Sequence, residues 1–480
     1  MKKKPKERTL PTALIPTPSS KVDTSTTDSP SKWIRIERPF PLPSYVKDAL
    51  YRLSNAGHLA YLVGGSVRDF LLGHEVKDHD IATSAHPNEL CQLFPNAIEV
   101  GKAFGVIKVP TGTYPPLLEI ATFRQDLDYQ DFRRPKGVVF SGPAQDALRR
   151  DFTINALFFD PKTSRILDFT SGVEDLKNKK IRAIGSPSER LKEDALRLLR
   201  AVRFKTRLGF QIEAKTAEAI RLRAKLITKV SAERIRDELT LMWRGPNPGV
   251  ALEMLSEFGL LGLLLPELEA LRGVPQIPSS HRHETLWDHE LRMLRVLAEQ
   301  TPERSQALAW AAILHDVGKP EALRLTHGKN FNGHEQESVK LIRKITERLR
   351  MSRADSELIS DLVEELTQFK EVFQMRESTL QRFIRRPYFE ELLALYKADA
   401  VATDGNLAFY EFAFSRFEAF RQTPHLQSPK LIDGHDLLQL GFQPGPEFSE
   451  ILRVLEDLVF EKKISTKEEA LDYVISHWAK

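Results

Sequence analysis

The chain has 480 residues, 41% of them hydrophobic and 28% charged, a balance that suits two to four globular domains. It holds no apolar run of about eighteen residues and no apolar stretch behind Met1-Lys2-Lys3-Lys4, so neither a membrane span nor a secretory signal is expected. The lone cysteine, Cys91, excludes an intramolecular disulfide framework and fits a reducing cytoplasm.

A net charge of +4 does not by itself mark a nucleic-acid binder, but the charge is unevenly spread. Residues 1–40, rich in Lys, Pro, Ser and Thr, are expected to form a disordered basic tail. Residues 41–180 alternate β-like runs (HLAYLVGG, KDHDIATS, FGVIKVP, LLEIATFR, RILDFT) with helical stretches and predict an α+β head. From there the text turns helical, with a neck over 181–250, a body over 251–420 and a C-terminal helical tail over 421–480. EDALRLLRAVRFKTRLG, AERIRDELTLMW and ALAWAAILHDVG repeat apolar residues at three- and four-residue spacing. Residues 181–245 carry twice as many Lys and Arg as Asp and Glu. That surplus serves a phosphate-backbone surface, and a solvated helical surface shows it as well.

In the head, Tyr61-Leu62-Val63-Gly64-Gly65-Ser66-Val67-Arg68-Asp69 reads as a strand, a glycine turn and a helix start. Paired glycines let backbone approach a phosphate, and a helix N-terminus directs N–H groups at it. Lys77-Asp78-His79-Asp80-Ile81 follows. On a strand, Asp78 and Asp80 would share one face while His79 points away. Neighbouring carboxylates repel unless a cation lies between them, and hard oxygen ligands suit Mg²⁺. A third carboxylate, Glu119 of LLEIATFR, falls on a later strand and could complete a two-metal phosphoryl-transfer site. A bare D-x-D also occurs as a solvated strand end; the Gly-Gly turn upstream favours the metal site.

Gly64-Gly65-Ser66-Val67-Arg68-Asp69-Phe70-Leu71-Leu72-Gly73, followed by Asp78-His79-Asp80-Ile81, resembles the first signature of the class II tRNA nucleotidyltransferases, the CCA-adding enzymes and bacterial poly(A) polymerases. Arg149-Arg150-Asp151-Phe152-Thr153-Ile154-Asn155-Ala156 resembles their second signature, and Asp168 to Asp175 (DFTSGVED) their third. The resemblance implies a polymerase-β-like head, a small mixed sheet with helices, followed by an all-α neck, body and tail. It implies Asp78 and Asp80 as metal carboxylates with Glu119 as third, Gly64, Gly65 and Arg68 on the triphosphate side, and Arg150, Asp151 and Asn155 around the incoming nucleotide.

Glu193-Asp194-Ala195-Leu196-Arg197 is expected on one periodic helix, with Asp194 and Arg197 on a shared face, Glu193 able to pair with Arg197, and Arg200 a turn further on. Cytosine and adenine both present an amino donor beside a ring-nitrogen acceptor, which a carboxylate and a guanidinium match. Guanine and uracil present a carbonyl and a ring N–H instead, a mismatch worth about 1–3 kcal/mol per contact. E-D-x-x-R also occurs as a plain surface ion pair, but here it resembles the family's amino-acid template. Thr122 to Asp126 and Tyr129 to Pro135 resemble the flexible loop of members that add the terminal A. Ala232 to Leu239 resembles the last neck motif.

Further on, His281, His283, His289, His315, Asp316 and His334 crowd together in a chain of thirteen histidines. An apolar helix that ends in adjacent imidazole and carboxylate needs a partner for them, and a divalent metal is the economical one. The pattern resembles the HD phosphohydrolases, with His289, His315, Asp316, His334 and Asp399 as ligands of a second divalent metal (Mn, Ni, Fe or Mg). Leu362-Val363-Glu364-Glu365 stands where the resembled pattern has a histidine, so one metal position is altered.

The expected function is therefore template-independent addition of CCA, or its terminal A, to tRNA 3′ ends from CTP and ATP, by a monomer or homodimer. The alternatives are an A-only adder, a poly(A) polymerase, or an HD phosphohydrolase whose head binds RNA.

Overall fold

The computed structural model describes residues 32–99, 104–127, 137–276, 284–422 and 431–478. The strands in chain order are β1 (Lys32–Arg35), β2 (Ala60–Val63), β3 (Asp80–Thr83), β4 (Val106–Pro110), β5 (Leu117–Thr122) and β6 (Arg124–Asp126), then β7 (Val138–Phe140), β8 (Leu157–Asp160), β9 (Arg165–Asp168), β10 (Lys180–Ile181) and β11 (Gln211–Ile212). Seven of them form the head sheet in the order β1-β9-β8-β2-β3-β5-β4. It is mixed, because β3 and β5 run parallel while the other neighbours are antiparallel.

The central strands are covered on both faces, which explains their nearly unbroken apolar runs. Along β2, Ala60 and Leu62 enter the main core while Tyr61 and Val63 enter a second, smaller one. Ile81 and Ala82 of β3 divide in the same way, as do Phe159 and Phe158 of β8. With side-chain direction fixed by this alternation, Asp80 stands on the face of Ala82, at the end of β3 nearest the Gly64 turn.

Three expectations are corrected. The tail does not extend to residue 40: β1 pairs with β9, and Phe40 stacks on Phe70 and Phe159 at 4.3 and 4.8 Å. The polar composition of the first thirty residues concealed the short strand KWIR; residues 1–31 lie outside the described residues. Asp78 is not on a strand, since β3 begins at Asp80 and Asp78 lies in the segment leading to it.

The third correction concerns Glu193 to Arg197, which does not lie on one helix. Glu193 ends the helix Pro187–Glu193, Asp194 has extended backbone (φ −137°, ψ 104°), and a new helix runs Arg197–Leu208. Apolar spacing continues through Leu191, Ala195 and Leu198, all buried, so periodicity alone could not show the break. The cause is local: the Asp194 carboxylate accepts the Leu196 N–H at 3.1 Å, a bond that competes with helix continuation.

Behind the neck the chain is a stack of helices. Gln306–Leu314 is buried on every side, and the helices Ala232–Trp243, Leu286–Gln300, Arg353–Glu365 and Phe389–Thr403 surround it. Gly318 is required where two helices meet, because a Cβ there would lie 2.3 Å from both His334 O and Ser338 N. The tail has its own core around Leu437, Ile451, Leu455 and Val474, and touches the body through the ion pairs Arg385–Glu456 and Arg382–Asp457. Among the described residues no helix is long and apolar enough to cross a membrane.

Candidate active site and metal centre

Two neighbouring interior strands gather the head carboxylates. Asp80 on β3 is in register with Glu119 on the parallel neighbour β5. Asp78 reaches the same place from the segment before β3. The Asp80 carboxyl opens to a cavity yet has protein on its other sides; this desolvation first, and the Glu119 charge second, push its pKa up to about 6, against the pull of Arg150. A carboxyl so burdened is stabilised by a cation. An oxygen-rich group of this kind fits a hard divalent ion such as Mg²⁺.

The cavity has a volume of about 840 Å³ and joins head to neck. Gly64, Gly65, Arg68, Asp78, Asp80 and Arg150 line it from the head, and Asp194, Arg197 and Arg200 from the neck. Gly64 (φ +72°, ψ −130°) has a conformation closed to side chains, and a Cβ there would meet Arg150 Nη1 at 3.3 Å. Glu119 does not line the cavity; it faces Asp80 from β5.

Several expected nucleotide-binding groups hold one another. Arg68 donates to Asn155 Oδ1 at 2.6 Å and pairs with Asp69 at 2.8 Å. Asn155 Nδ2 donates to Asp151 Oδ1 at 3.1 Å. Asp151 Oδ2 accepts from Arg200 Nε and Nη2 at 2.8 and 2.7 Å, which fastens neck to head. Burial would raise the Asp151 pKa, but the Arg200 charge and the Asn155 bond hold it far below the usual carboxylate range. Arg150 pairs with Asp146 at 3.0 Å and lies over the Phe158 ring.

Asp194 and Arg197 line one cavity despite the broken helix. Arg197 Nη1 pairs with Glu193 Oε2 at 2.6 Å, as expected, and also donates to the Arg190 carbonyl at 2.7 Å. Asp194 is gripped by Arg234 from the helix Ala232–Trp243 at 2.8 and 3.1 Å. Sequence reasoning missed Arg203, Phe204 and Arg207 as lining residues. Their signal was present, since they follow Arg197 and Arg200 at three- and four-residue steps along one helix face. Tyr129 to Pro135 lies outside the described residues; the flanking β6 and β7 pair as a short ribbon.

The body holds the second cluster. His289, His315 and Asp399 place one ligand atom each within 4.8 Å of one another. Asp316 Oδ2 lies 3.3 Å from His315 Nε2 and 3.8 Å from His289 Nε2. His334 is more distant, its Nε2 3.9 Å from Asp316 Oδ1. The Nε2 atoms of buried His289 and His315 face carboxylates, Asp399 Oδ1 at 3.1 Å and Asp316 Oδ2 at 3.3 Å, while His289 Nδ1 has no hydrogen-bond partner. Burial would lower the His315 pKa, but Asp316 and Glu290 overcome it and raise it to about 10. The carboxylates thus draw a positive charge into the cluster, and imidazole nitrogens with carboxylate oxygens fit a divalent ion that would replace the proton. Glu290, fully buried, was missed, as was Lys319, 2.6 Å from Asp316 Oδ2. His281 and His283 lie outside the described residues.

Acidic strands facing an arginine-lined cavity, with a helical neck behind them, define the class of nucleotidyltransferases. The comparisons agree: residues 60–182 match the poly A polymerase head domain, 209–271 the probable RNA and SrmB-binding site of polymerase A, and 286–404 the HD domain. The chain is 34% identical over 429 residues to the CCA-adding enzyme of Lactobacillus helveticus, covering 88% of this chain and 94% of that one. It is 32% identical over 428 residues to that of Lactococcus lactis, covering 88% and 93%. The solved Bacillus stearothermophilus CCA-adding enzyme in complex with CTP superposes with a TM-score of 0.67 at 25% identity, covering 91% of this chain and 98% of that chain. The chain belongs to the CCA-adding enzyme family of tRNA nucleotidyltransferases.

Proposed function

We propose that this enzyme restores C, C and A to the 3′ ends of tRNA from CTP and ATP. Asp78 and Asp80, with Glu119 beside them, would hold divalent cations, Mg²⁺ in the first place. When bound, these would activate the primer hydroxyl and neutralise the departing pyrophosphate. Gly64, Gly65, Arg68 and Arg150 receive the triphosphate by backbone approach and positive charge. Asp151, Asn155 and Arg200 act by fixing the neck against the head. Asp194 accepts the exocyclic amine of cytosine or adenine, and Arg197 donates to the adjacent ring nitrogen, with Glu193 and Arg234 holding the pair in place.

The observation that carries this reading is a single cavity lined by Asp78 and Asp80 together with Asp194 and Arg197. Chemistry and base choice therefore lie within one nucleotide's reach. The test is incorporation of each NTP, singly and mixed, into tRNAs lacking CCA, CA or A. Ordered addition of C, C and A followed by arrest supports the reading. Addition of A alone would make the enzyme an A-adder.

We further propose that His289, His315, Asp316 and Asp399 hold a divalent cation. The buried imidazoles of His289 and His315, turned toward the Asp316 and Asp399 carboxylates, support this. His334 stands at the cavity side.

A further inference from the structure

We infer that Asp146 is a positioning residue for nucleotide addition: it fixes the Arg149 and Arg150 guanidinium groups at the cavity wall, so that Arg150 meets the incoming triphosphate in a set orientation. This rests on reading Arg150 as a triphosphate-binding group. Asp146 is 1% exposed and does not line the cavity, so it acts only through its neighbours.

Asp146 lies on the short helix Pro143–Leu148, and Arg149 and Arg150 follow it at three- and four-residue spacing, within reach of one carboxylate. Its two oxygens are divided between them. Oδ1 accepts from Arg149 Nε at 2.8 Å and Nη2 at 2.7 Å, and Oδ2 from Arg150 Nε at 3.3 Å and Nη2 at 3.0 Å. The Arg124 backbone N–H, at the start of β6, adds a longer bond to Oδ1 at 3.4 Å. Burial alone would raise the Asp146 pKa, but the charges of Arg150 and Arg149 outweigh it. They hold the carboxyl below its usual value, so it is ionised at neutral pH.

Asp146 takes the Nε–Nη2 edge of Arg150, and the Phe158 ring lies under the guanidinium, its centroid 5.3 Å from Cζ. Nη1 is thereby directed toward the Gly64 turn, where a Cβ on Gly64 would stand 3.3 Å from it. Arg149 is fixed on the other oxygen, and its backbone carbonyl accepts Arg197 Nη2 at 3.1 Å. Two adjacent guanidinium groups repel each other. A carboxylate between them offsets that repulsion and sets their planes. Buried ion pairs are often replaceable by apolar side chains without loss of stability, so stability alone does not call for one here.

The test is competitive inhibition of ATP incorporation by inorganic tripolyphosphate with Mg²⁺, which probes the triphosphate site without a base. Wild type, Asp146→Asn, Arg150→Gln and the double variant form a cycle. Asp146→Asn should raise the tripolyphosphate Ki about tenfold, the scale of one misplaced charge-assisted bond, while the Kd for tRNA keeps its wild-type value. The double variant should bind tripolyphosphate within about twofold of Arg150→Gln alone, because Asp146 acts through Arg150. A merely structural carboxylate would lower the melting temperature or the active fraction and leave Ki unchanged. That result would overturn the inference, as would losses that add in the double variant. Arg150→Gln with a wild-type Ki would instead remove the triphosphate reading itself, and the inference with it. Asp146→Glu, which places the charge one methylene further out, enters the cycle where Asp146→Asn does not fold.

Discussion

In the head, Asp78 and Asp80 face an open cavity among arginines; in the body, Asp316 and Asp399 are enclosed with two imidazoles and a lysine. The head arrangement leaves oxygen ligands accessible to a substrate that brings phosphates of its own, which suits a loosely held Mg²⁺. The body arrangement groups imidazole nitrogens with carboxylate oxygens, which would suit a resident divalent ion of the Mn, Ni, Fe or Mg kind. On the proposed reading, the same demand, charge compensation for neighbouring carboxylates, would be met by ions that arrive with the substrate in one place and by a resident ion in the other. Both sites exist because apolar packing holds the surrounding elements: two-faced burial of β2, β3 and β8 fixes the first, and the buried helix Gln306–Leu314 fixes the second.

The contrast can be broken most sharply at the head. Asp80→Ala, or Asp78→Ala, should reduce nucleotide addition by roughly a thousandfold or more, since metal-stabilised charge contributes several kcal/mol at the transition state. Binding of tRNA, read by gel shift, should change little; addition near the wild-type rate would end the metal-carboxylate account. At the body the expected effect is on stability. Mn²⁺ at a hundredfold excess over its Kd should stabilise the wild type by about 2.7 kcal/mol, and His315→Ala should lose that gain. Equal melting shifts in both proteins would contradict the predicted difference between the sites.

Arg197→Ala should blur base choice more than it slows addition. The preference for CTP and ATP over UTP and GTP should fall by roughly tenfold to a hundredfold, the range of about 1–3 kcal/mol expected for one polar recognition contact. A preference unchanged in kcat/KM would show that Arg197 does not read the base. A comparable effect, on stability alone, concerns the joint between head and neck. Asp151→Asn removes a charge-assisted pair with Arg200 and should cost about 1.5–3 kcal/mol of stability near neutral pH. Because the native pKa of Asp151 is depressed, that contribution is complete above the unfolded carboxylate value of about 4. It is lost as pH falls through the native value, so the wild type and Asp151→Asn should converge in urea titrations at acidic pH.

Much of the head was legible in the text. The β-like runs HLAYLVGG and LLEIATFR marked real strands, and the D-x-D pair did reach one cavity with Gly64 and Gly65. What escaped the sequence was set by contacts distant along the chain. Asp194 and Arg197 share a cavity because Arg234 and Glu193 hold them, not because one helix face presents them. The break between Glu193 and Arg197 left apolar periodicity intact, so no pattern count could expose it. β1 was hidden by the polar composition before it, since its stability comes from pairing with β9 some 130 residues later. Asp151 and Asn155, expected around the nucleotide, line the cavity and also form the joint through which Arg200 ties the neck to the head. In the body, His289, His315, Asp316 and Asp399 were visible as a spaced set, whereas Lys319, three residues past Asp316, gained meaning only from its distance to that carboxylate.

The most direct test of the central claim, that one cavity both performs the transfer and reads the base, is a crystal structure with CTP, Mg²⁺ and a tRNA ending before its CCA. The account predicts the cytosine amino group within hydrogen-bonding distance of Asp194, its ring nitrogen facing Arg197, and the triphosphate between Arg150 and the Asp78–Asp80 pair. A cytosine bound away from Asp194 and Arg197, with the triphosphate still at the carboxylates, would contradict it.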